Sequence, residues 1–238
     1  MSLKRLLLSL LFLFCVYGVG AVTLSATQEF LATAEANSST VQKVIILDAG
    51  HGGFDGGAQA ADGTKEKDIN LAITLKLAEF YKLGGFDVIL TRSADMGTET
   101  DPNDTIAHRK VSDMKNRLAL LNANPNGLFV SVHLNKFTTS SVSGAQVFYS
   151  PNNDNSYHLA ESLQKSLIKH LQPDNNRTVK KSDKTIYLLK NAKIPAVIVE
   201  CGFLSNKQEL ELLKTNDYQS KLAFSLYCGT LEYFNNQE

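Results

Sequence analysis

Four side chains that can bind metal or transfer protons stand beside short apolar runs at distant places in this sequence. His51, His133 and Glu200 each follow a run of Val, Ile and Leu, and Glu66 stands just before a helical pattern. Two neutral imidazoles and one carboxylate form a ligand set typical of catalytic zinc, because they leave a fourth position open for water. We therefore predict that His51, Glu66 and His133 bind Zn2+.

Glu200 differs from the three predicted ligands because it continues a strongly apolar strand and precedes Cys201. Full exposure of its carboxylate is therefore not expected. A partly buried carboxylate beside a metal site is suited to take a proton from water and to return it to a leaving amine. The predicted role of Glu200 is catalytic. The alternative is a structural glutamate paired with Arg92 or Arg117.

Several charged neighbours have roles that the sequence leaves open. Asp48 and Asp55 both stand close to His51, and either could accept a hydrogen bond from the imidazole nitrogen that does not face the metal. Arg92 and Arg117 are candidates for holding the substrate, with plain structural roles as the alternative. The glycines around His51 predict a tight turn that includes left-handed backbone.

The elements that must bring these residues together alternate between short apolar runs and amphipathic stretches. Continuous Val, Ile and Leu runs predict strands buried on both faces of the sheet, and the fold class is therefore α/β: a single domain with a twisted, mostly parallel sheet and helices on both faces. Ligands of such sheets bind at the carboxyl ends of the strands, where the four side chains are expected. We predict strands near 44–47, 86–91, 128–132, 145–149 and 196–199, and helices near 68–83, 111–121, 155–171 and 216–234, with one more after the capping-box segment 205–208.

Charge and composition restrict the classes of function. The 238 residues include 24 Lys and Arg and 24 Asp and Glu, so the formal charge is zero and no nucleic-acid partner is expected. A chain of this length with 43% hydrophobic residues can form a core without a metal or a disulfide. A metal site would therefore serve the function of the protein.

The amino-terminal segment has the pattern of an export signal. Lys4 and Arg5 precede a nearly continuous apolar run over residues 6–22, and small residues follow that run. We predict a signal peptide or N-terminal membrane anchor over residues 1–27, a linker over 28–41 and the catalytic domain over 42–236. The protein is expected outside the cytoplasmic membrane, secreted or anchored, with membrane contact only through this segment.

The cysteines favour packing over covalent pairing. Cys15 lies inside the export segment, whereas Cys201 and Cys228 stand in apolar stretches where free cysteine behaves as a small buried hydrophobe. A disulfide between the latter two is the less favoured alternative. We expect Cys201 to point to the face of its strand opposite Glu200, and so to act neither as a ligand nor as a nucleophile.

Four sequence blocks, each containing one of the four residues, are specific enough to identify a family, and they occur along the chain in the order that the family has. The blocks are Leu47-Asp-Ala-Gly-His-Gly-Gly53, Lys65-Glu-Lys-Asp-Ile-Asn70, Ser131-Val-His-Leu-Asn135 and Val199-Glu-Cys-Gly-Phe-Leu-Ser-Asn206. The chain from about Val44 to Phe234 resembles the zinc-dependent N-acetylmuramoyl-L-alanine amidases of type 3. The resemblance implies that His51, Glu66 and His133 hold zinc and that Glu200 is catalytic. It also implies a substrate, the peptidoglycan amide between the lactyl group of muramic acid and L-alanine.

The compact chain is most similar to the sporulation and germination amidases of the spore cortex. This similarity implies a role in forming muramic-δ-lactam and a place in the forespore envelope. The predicted loop over 93–110 is too short for the helix that blocks the zinc in some larger relatives. Because an exported wall hydrolase must not act everywhere, we expect a partner protein to regulate activity or zinc loading. The alternatives are another zinc hydrolase of wall material, either a peptidase or a deacetylase, and a non-catalytic wall-binding module.

Overall fold

The structure is a computed structural model of the protein, and it describes residues 43–237. The predicted export segment, 1–27, and the predicted linker, 28–41, lie outside the described residues. Among the helices of residues 43–237, none combines the length and the apolar character that crossing a bilayer requires.

One mixed sheet organises the described residues. Its strands are β1 (Val44–Ala49), β2 (Asp87–Leu90), β3 (Gly127–Asn135), β4 (Gln146–Tyr149), β5 (Lys180–Lys181) and β6 (Ala196–Phe203), in the spatial order β2-β1-β3-β6-β4-β5. The four strands from β2 to β6 in this order are parallel, and β4 runs antiparallel to β6. The predicted mostly parallel sheet is therefore confirmed.

Helices cover both faces of this sheet, as the apolar strands predicted. They are α1 (Glu66–Leu83), α2 (Ile106–Asn122), α3 (Asn155–His170), α4 (Tyr187–Asn191), α5 (Lys207–Leu213) and α6 (Asn216–Asn235). The larger hydrophobic cluster joins α1, α3 and α6 to one face through residues such as Ile73, Leu163 and Leu226. The smaller cluster joins α2 and α4 to the other face through Leu121 and Leu189.

Strands β3 and β6 extend further than the apolar runs predicted. His133 and Glu200 lie inside these strands, where they are register partners. We predicted that they would stand just after the strand ends. They lie within the strands because the backbone hydrogen bonds between β3 and β6 continue beyond the last aliphatic residue of each apolar run. The two side chains consequently project from the same face of the sheet.

Three local predictions need correction. Helix α2 begins at Ile106, not near 111, because the Thr105 side chain caps it by accepting a hydrogen bond from the backbone N–H of His108. The predicted loop over 93–110 is therefore shorter, and His108 is helical. The cap of α5 is Asn206, and not Ser205, because the Asn206 side chain accepts from the N–H of Glu209. Strand β5 and helix α4 are too short to give a periodic pattern and were not predicted.

Candidate active site

The turn after β1 aims His51 toward β3. His51 has a left-handed backbone with φ of 63°, and Gly52 and Gly53 continue with positive φ. Such a conformation is uncommon for a non-glycine residue and is concentrated at functional sites. Gly50 is required for space, because a Cβ atom there would lie 2.3 Å from the His133 ring. The turn can therefore bring the two imidazoles close together.

Glu66 is the first residue of α1 and is only 3% exposed. Its Oε1 accepts hydrogen bonds from the backbone N–H of Leu134 at 3.1 Å and from the Asn70 side-chain amide at 3.2 Å. Its Oε2 accepts from the N–H of Ala58 at 2.8 Å. Asn70 had no predicted role, although its spacing of one helical turn from Glu66 would have indicated the contact. These donors fix the carboxylate in one orientation.

The three predicted ligands meet at this carboxylate. Glu66 Oε1 lies 3.0 Å from His133 Nδ1, and Glu66 Oε2 lies 3.2 Å from His51 Nε2. One nitrogen from each imidazole and one carboxylate oxygen all lie within 4.8 Å of one another. The structure thus brings His51, Glu66 and His133 together as one set of donors that a single metal ion could bind.

The structure decides between the two aspartates near His51. Asp55 contacts it, with 2.8 Å between Asp55 Oδ2 and His51 Nδ1. Asp48 is instead buried against the Arg117 guanidinium and the Ser131 hydroxyl. Asp55 is therefore the residue that can orient the imidazole, leaving His51 Nε2 directed at Glu66.

The local charges set the pKa values of this group. Burial opposes protonation of His51, but the carboxylates of Asp55 and Glu66 outweigh it and raise its pKa to about 9. Burial likewise opposes ionisation of Glu66, and the two imidazoles outweigh it and hold its pKa far below the usual range. A cation is therefore favoured between these side chains, whether it is a proton or a metal ion.

Glu200 stands next to this group on β6. Its Oε2 is buried and has no hydrogen-bond partner among residues 43–237. Burial raises the pKa of Glu200 to about 7, with the His133 imidazole opposing the rise and the Glu66 carboxylate adding to it. No ion pair joins Glu200 to Arg92 or Arg117 among the described side chains, so the structural alternative for this residue is wrong.

Comparison with known proteins places this site in a family. The family model described as N-acetylmuramoyl-L-alanine amidase matches residues 45–231. The chain belongs to this family. The enzyme therefore hydrolyses the peptidoglycan amide between N-acetylmuramic acid and L-alanine, and this result favours the predicted amidase over the other zinc hydrolases and the non-catalytic module.

Individual relatives agree with the family match. The amidase is 35% identical over 197 residues to the germination-specific N-acetylmuramoyl-L-alanine amidase of Bacillus subtilis, covering 82% of this chain and 81% of the relative. It is 26% identical to AmiA of Escherichia coli over 272 residues, covering 92% of this chain and 89% of the relative. The structure of the CwlD amidase from Clostridioides difficile in complex with the GerS lipoprotein is similar at 45% identity, with a TM-score of 0.79 and coverage of 82% of this chain and 100% of that chain.

Two arginines near the site of the amidase are structural. Arg92 is 3% exposed and donates to backbone carbonyls, including those of Ala49 and Gly50. Arg117 is 1% exposed and pairs with Asp48 and Asp113. Because their donors are directed to protein acceptors, the proposed substrate-holding role for Arg92 and Arg117 is wrong.

A cavity of about 340 Å³ opens beside the imidazoles of the amidase. His51 and His133 line one part of it, and another part is apolar, with Phe54, Met114, Ile186, Leu188 and Ile198. The charged residues of its lining are paired with one another: Lys110 with Asp55, and Arg117 with Asp48 and Asp113. The sequence did not predict this cavity, because its walls come from a turn, two helices and three strands that meet only in the folded chain. The cavity can accept an uncharged portion of a substrate next to His51 and His133.

Cys201 plays the predicted packing role, whereas Cys228 is half-buried and lies outside both hydrophobic clusters. Cys201 is buried in the larger hydrophobic cluster, on the face of β6 opposite Glu200, and burial raises the pKa of its thiol far above the usual range. Cys201 and Cys228 are both free thiols. A neutral buried thiol is neither a ligand nor a nucleophile.

Proposed function

We propose that His51, Glu66 and His133 hold a zinc ion and that Glu200 carries the proton during hydrolysis of the muramoyl amide. The observation that carries this proposal is the convergence of two imidazoles and one carboxylate within 4.8 Å. These donors fit zinc, which favours imidazole nitrogen and carboxylate oxygen in sites that keep one position open. The unpartnered Oε2 of Glu200 adds a proton acceptor next to that position.

Each side chain of the site has a proposed role that follows from its contacts. When bound, zinc supplies Lewis-acid polarisation of the scissile carbonyl and activation of water. Asp55 orients His51 through Nδ1, and the three N–H donors hold Glu66 in place. Glu200 Oε2 takes a proton from the attacking water and returns it to the departing nitrogen. Its pKa near neutrality is suited to both transfers.

We extend the proposal to a role in spore-cortex peptidoglycan, as a step toward muramic-δ-lactam. The support is the likeness to a germination-specific amidase and to CwlD. Residues 1–27 are proposed to export the enzyme or to anchor it, residues 28–41 to form a linker, and residues 42–236 to form the catalytic domain. The proposed location is outside the cytoplasmic membrane, in the forespore envelope.

A partner protein is proposed to control activity or zinc loading. The structurally similar CwlD amidase was solved in complex with the GerS lipoprotein, which supports a protein partner for this chain. The measurement that checks it is the zinc content and turnover of the lone purified chain. Stoichiometric zinc and full activity without any partner would contradict this part of the proposal.

The metal and the bond can be tested together with His51→Asn and a matched control, His158→Asn, which changes an exposed histidine of α3. Asparagine tolerates left-handed backbone, so the turn is preserved while the imidazole ligand is lost. The full-length chain and both variants are incubated with zinc on defined muropeptides, followed by mass analysis and metal determination. We expect intact stem peptides with an N-terminal alanine from the wild type and the control, and loss of zinc and turnover in His51→Asn.

A chelator should abolish the wild-type activity, and added zinc should restore it. Release of acetate would indicate a deacetylase, and cleavage within the peptide would indicate a peptidase. Full zinc content in His51→Asn would contradict the proposed ligand set.

A further inference from the structure

Arg177 lies at the edge of the sheet face that carries Glu200. On the antiparallel strand β4, Gln146 is the register partner of Glu200, so both side chains leave the sheet on the same face. Gln146 Oε1 accepts a hydrogen bond from Arg177 Nη1 at 3.1 Å, and Gln146 Nε2 donates to the carbonyl of Thr178 at 2.9 Å. Since β4 adjoins β6 on the side away from β3, the guanidinium is held beyond Glu200 as seen from His133.

The guanidinium of Arg177 is fixed in position without being neutralised. Its Nε donates to the carbonyl of Ser143 at 2.8 Å, and its Cζ lies 4.8 Å from the centre of the Phe203 ring. No carboxylate of residues 43–237 forms an ion pair with Arg177, and its Nη2 donates no hydrogen bond within that range. The other arginines of the described range have their charged groups directed to carboxylates or backbone carbonyls: Arg92, Arg109 and Arg117.

The nearby buried carboxyl of Glu209 does not account for Arg177. The positive charge lowers the Glu209 pKa, whereas burial, the larger influence, raises it. The two Glu209 oxygens already accept hydrogen bonds from the backbone N–H groups of Gly144 and Phe203. Arg177 therefore keeps donors available for a ligand. A planar guanidinium held at several points is suited to bind a carboxylate through two parallel hydrogen bonds.

The two flanks of the site differ in charge. On the α2 side, the apolar cavity reaches His51 and His133 but includes neither Glu200 nor Arg177. On the β4 side, Lys180 of β5 is in register with Phe148 and adds a second positive charge to that of Arg177. On the first flank, Lys110 pairs with Asp55 and Arg117 with Asp48 and Asp113, so no cation of its described lining is left without a carboxylate and an uncharged group fits it. An anionic peptide fits the second flank.

We propose that Arg177 binds a carboxylate of the stem peptide, on the leaving-group side of the scissile amide. The inference rests on the proposed role of Glu200. Because Glu200 returns the proton to the departing nitrogen, the stem peptide that carries this nitrogen must lie on the Glu200 side of the scissile amide. The muramoyl portion then faces the apolar cavity. Arg177 thereby makes the amidase selective for anionic stem peptides.

The test compares two muropeptides with the full-length, zinc-supplied chain. One carries free carboxylates on its stem peptide, and the other has them converted to amides. For Arg177→Gln we expect kcat/KM on the carboxylate form to fall by about tenfold, mainly through KM, since a partly exposed charged hydrogen bond is lost. On the amide form we expect little change. Arg177→Lys, which keeps the charge, should lose less.

The matched control is Lys165→Gln, which removes one positive charge from an exposed position on α3. Zinc content and the temperature of unfolding show whether each variant is folded. An equal fall of kcat/KM on both substrates in folded Arg177→Gln and Arg177→Lys, or no fall on either substrate, would overturn the proposal.

Calorimetric binding of the released stem peptide gives a readout that needs no turnover. We expect the dissociation constant to rise by about tenfold in Arg177→Gln and to stay unchanged in Lys165→Gln. Equal affinity in wild type and Arg177→Gln would overturn the subsite whatever the activity. Weakened binding in Arg177→Gln, with a wild type that cleaves neither substrate, would support the subsite and contradict the proposed function.

Discussion

Two charge clusters stand near the carboxyl ends of β1 and β3, and only one of them contains a buried carboxylate oxygen without a partner among residues 43–237. In the structural cluster, Asp48 accepts hydrogen bonds from Arg117, Thr91 and Ser131, and Asp113 pairs with the same arginine. Burial opposes the ionisation of Asp48, but Arg117 and the hydroxyl donors outweigh it and lower its pKa to about 2. Asp48 therefore stays ionised and paired with Arg117.

The second cluster, made of His51, Glu66, His133 and Glu200, has similar components but a different balance of charge and burial. The side chains of His51 and His133 are 26% and 20% exposed, compared with 1% for Arg117. The Glu200 carboxylate keeps one buried oxygen without a partner among the described residues. The comparison teaches that a fully satisfied buried network rigidifies a fold, whereas an unsatisfied atom next to solvent-accessible donors can perform chemistry.

The largest effect is expected at the unsatisfied atom. Glu200→Gln keeps the shape of the side chain but removes its ability to accept and return a proton. We expect turnover of muropeptides to fall by about 10⁴-fold, the upper range for general acid–base catalysis, because one group serves both transfers. Steady-state rates with mass detection measure this effect.

Zinc content and the free energy of unfolding of Glu200→Gln should stay close to those of the wild type. The control is Glu211→Gln, at an exposed position of α5 that should leave the rate unchanged. Substantial hydrolysis by folded, zinc-loaded Glu200→Gln would show that another group moves the proton.

The next effect concerns the satisfied cluster. Arg117→Ala leaves Asp48 and Asp113 buried without their cation, so we expect the free energy of unfolding to fall by about 3–5 kcal/mol. Denaturant unfolding measures the change, and Lys115→Ala, at an exposed position of the same helix, should change it by less than about 0.5 kcal/mol. A small loss in Arg117→Ala would mean that the cluster does not have the structural role its contacts indicate.

Sequence reasoning predicted the convergence of His51, Glu66 and His133 better than the surroundings of these residues. His51, His133 and Glu200 could be predicted because each follows an apolar run, and parallel strands collect their carboxyl ends at one edge of the sheet. The alternation of apolar runs with helical periods also predicted the α/β fold. Both inferences depend on local patterns that tertiary packing reinforces.

The remaining features depend on contacts that no local pattern records. Asp48 and Asp55 are equally near His51 in sequence, and only the left-handed turn at His51 decides that Asp55 contacts the imidazole. Arg117 lies on the face of α2 that packs against β1, and residue spacing alone could not show that this face meets Asp48. The apolar cavity arises where segments more than a hundred residues apart meet, and Arg177 is placed by a contact with Gln146 of β4.

The smallest effect is expected at Asp55. This aspartate contacts the imidazole of His51, whereas Asp48 in the structural cluster contacts the guanidinium of Arg117. Asp55→Ala removes the acceptor that orients His51, so we expect zinc affinity to fall by about tenfold, the lower range for such partners, because Asp55 is partly exposed. Competition with a chelator measures the affinity, and Asp174→Ala, at an exposed aspartate, is the control. Because Asp55 is partly exposed and pairs with His51 and Lys110, and not with a buried arginine, the metal-free variant should lose much less stability than Arg117→Ala. If Asp55→Ala instead destabilises the metal-free protein as strongly as Arg117→Ala, Asp55 belongs with the structural cluster, and the distinction between the two clusters fails at this residue.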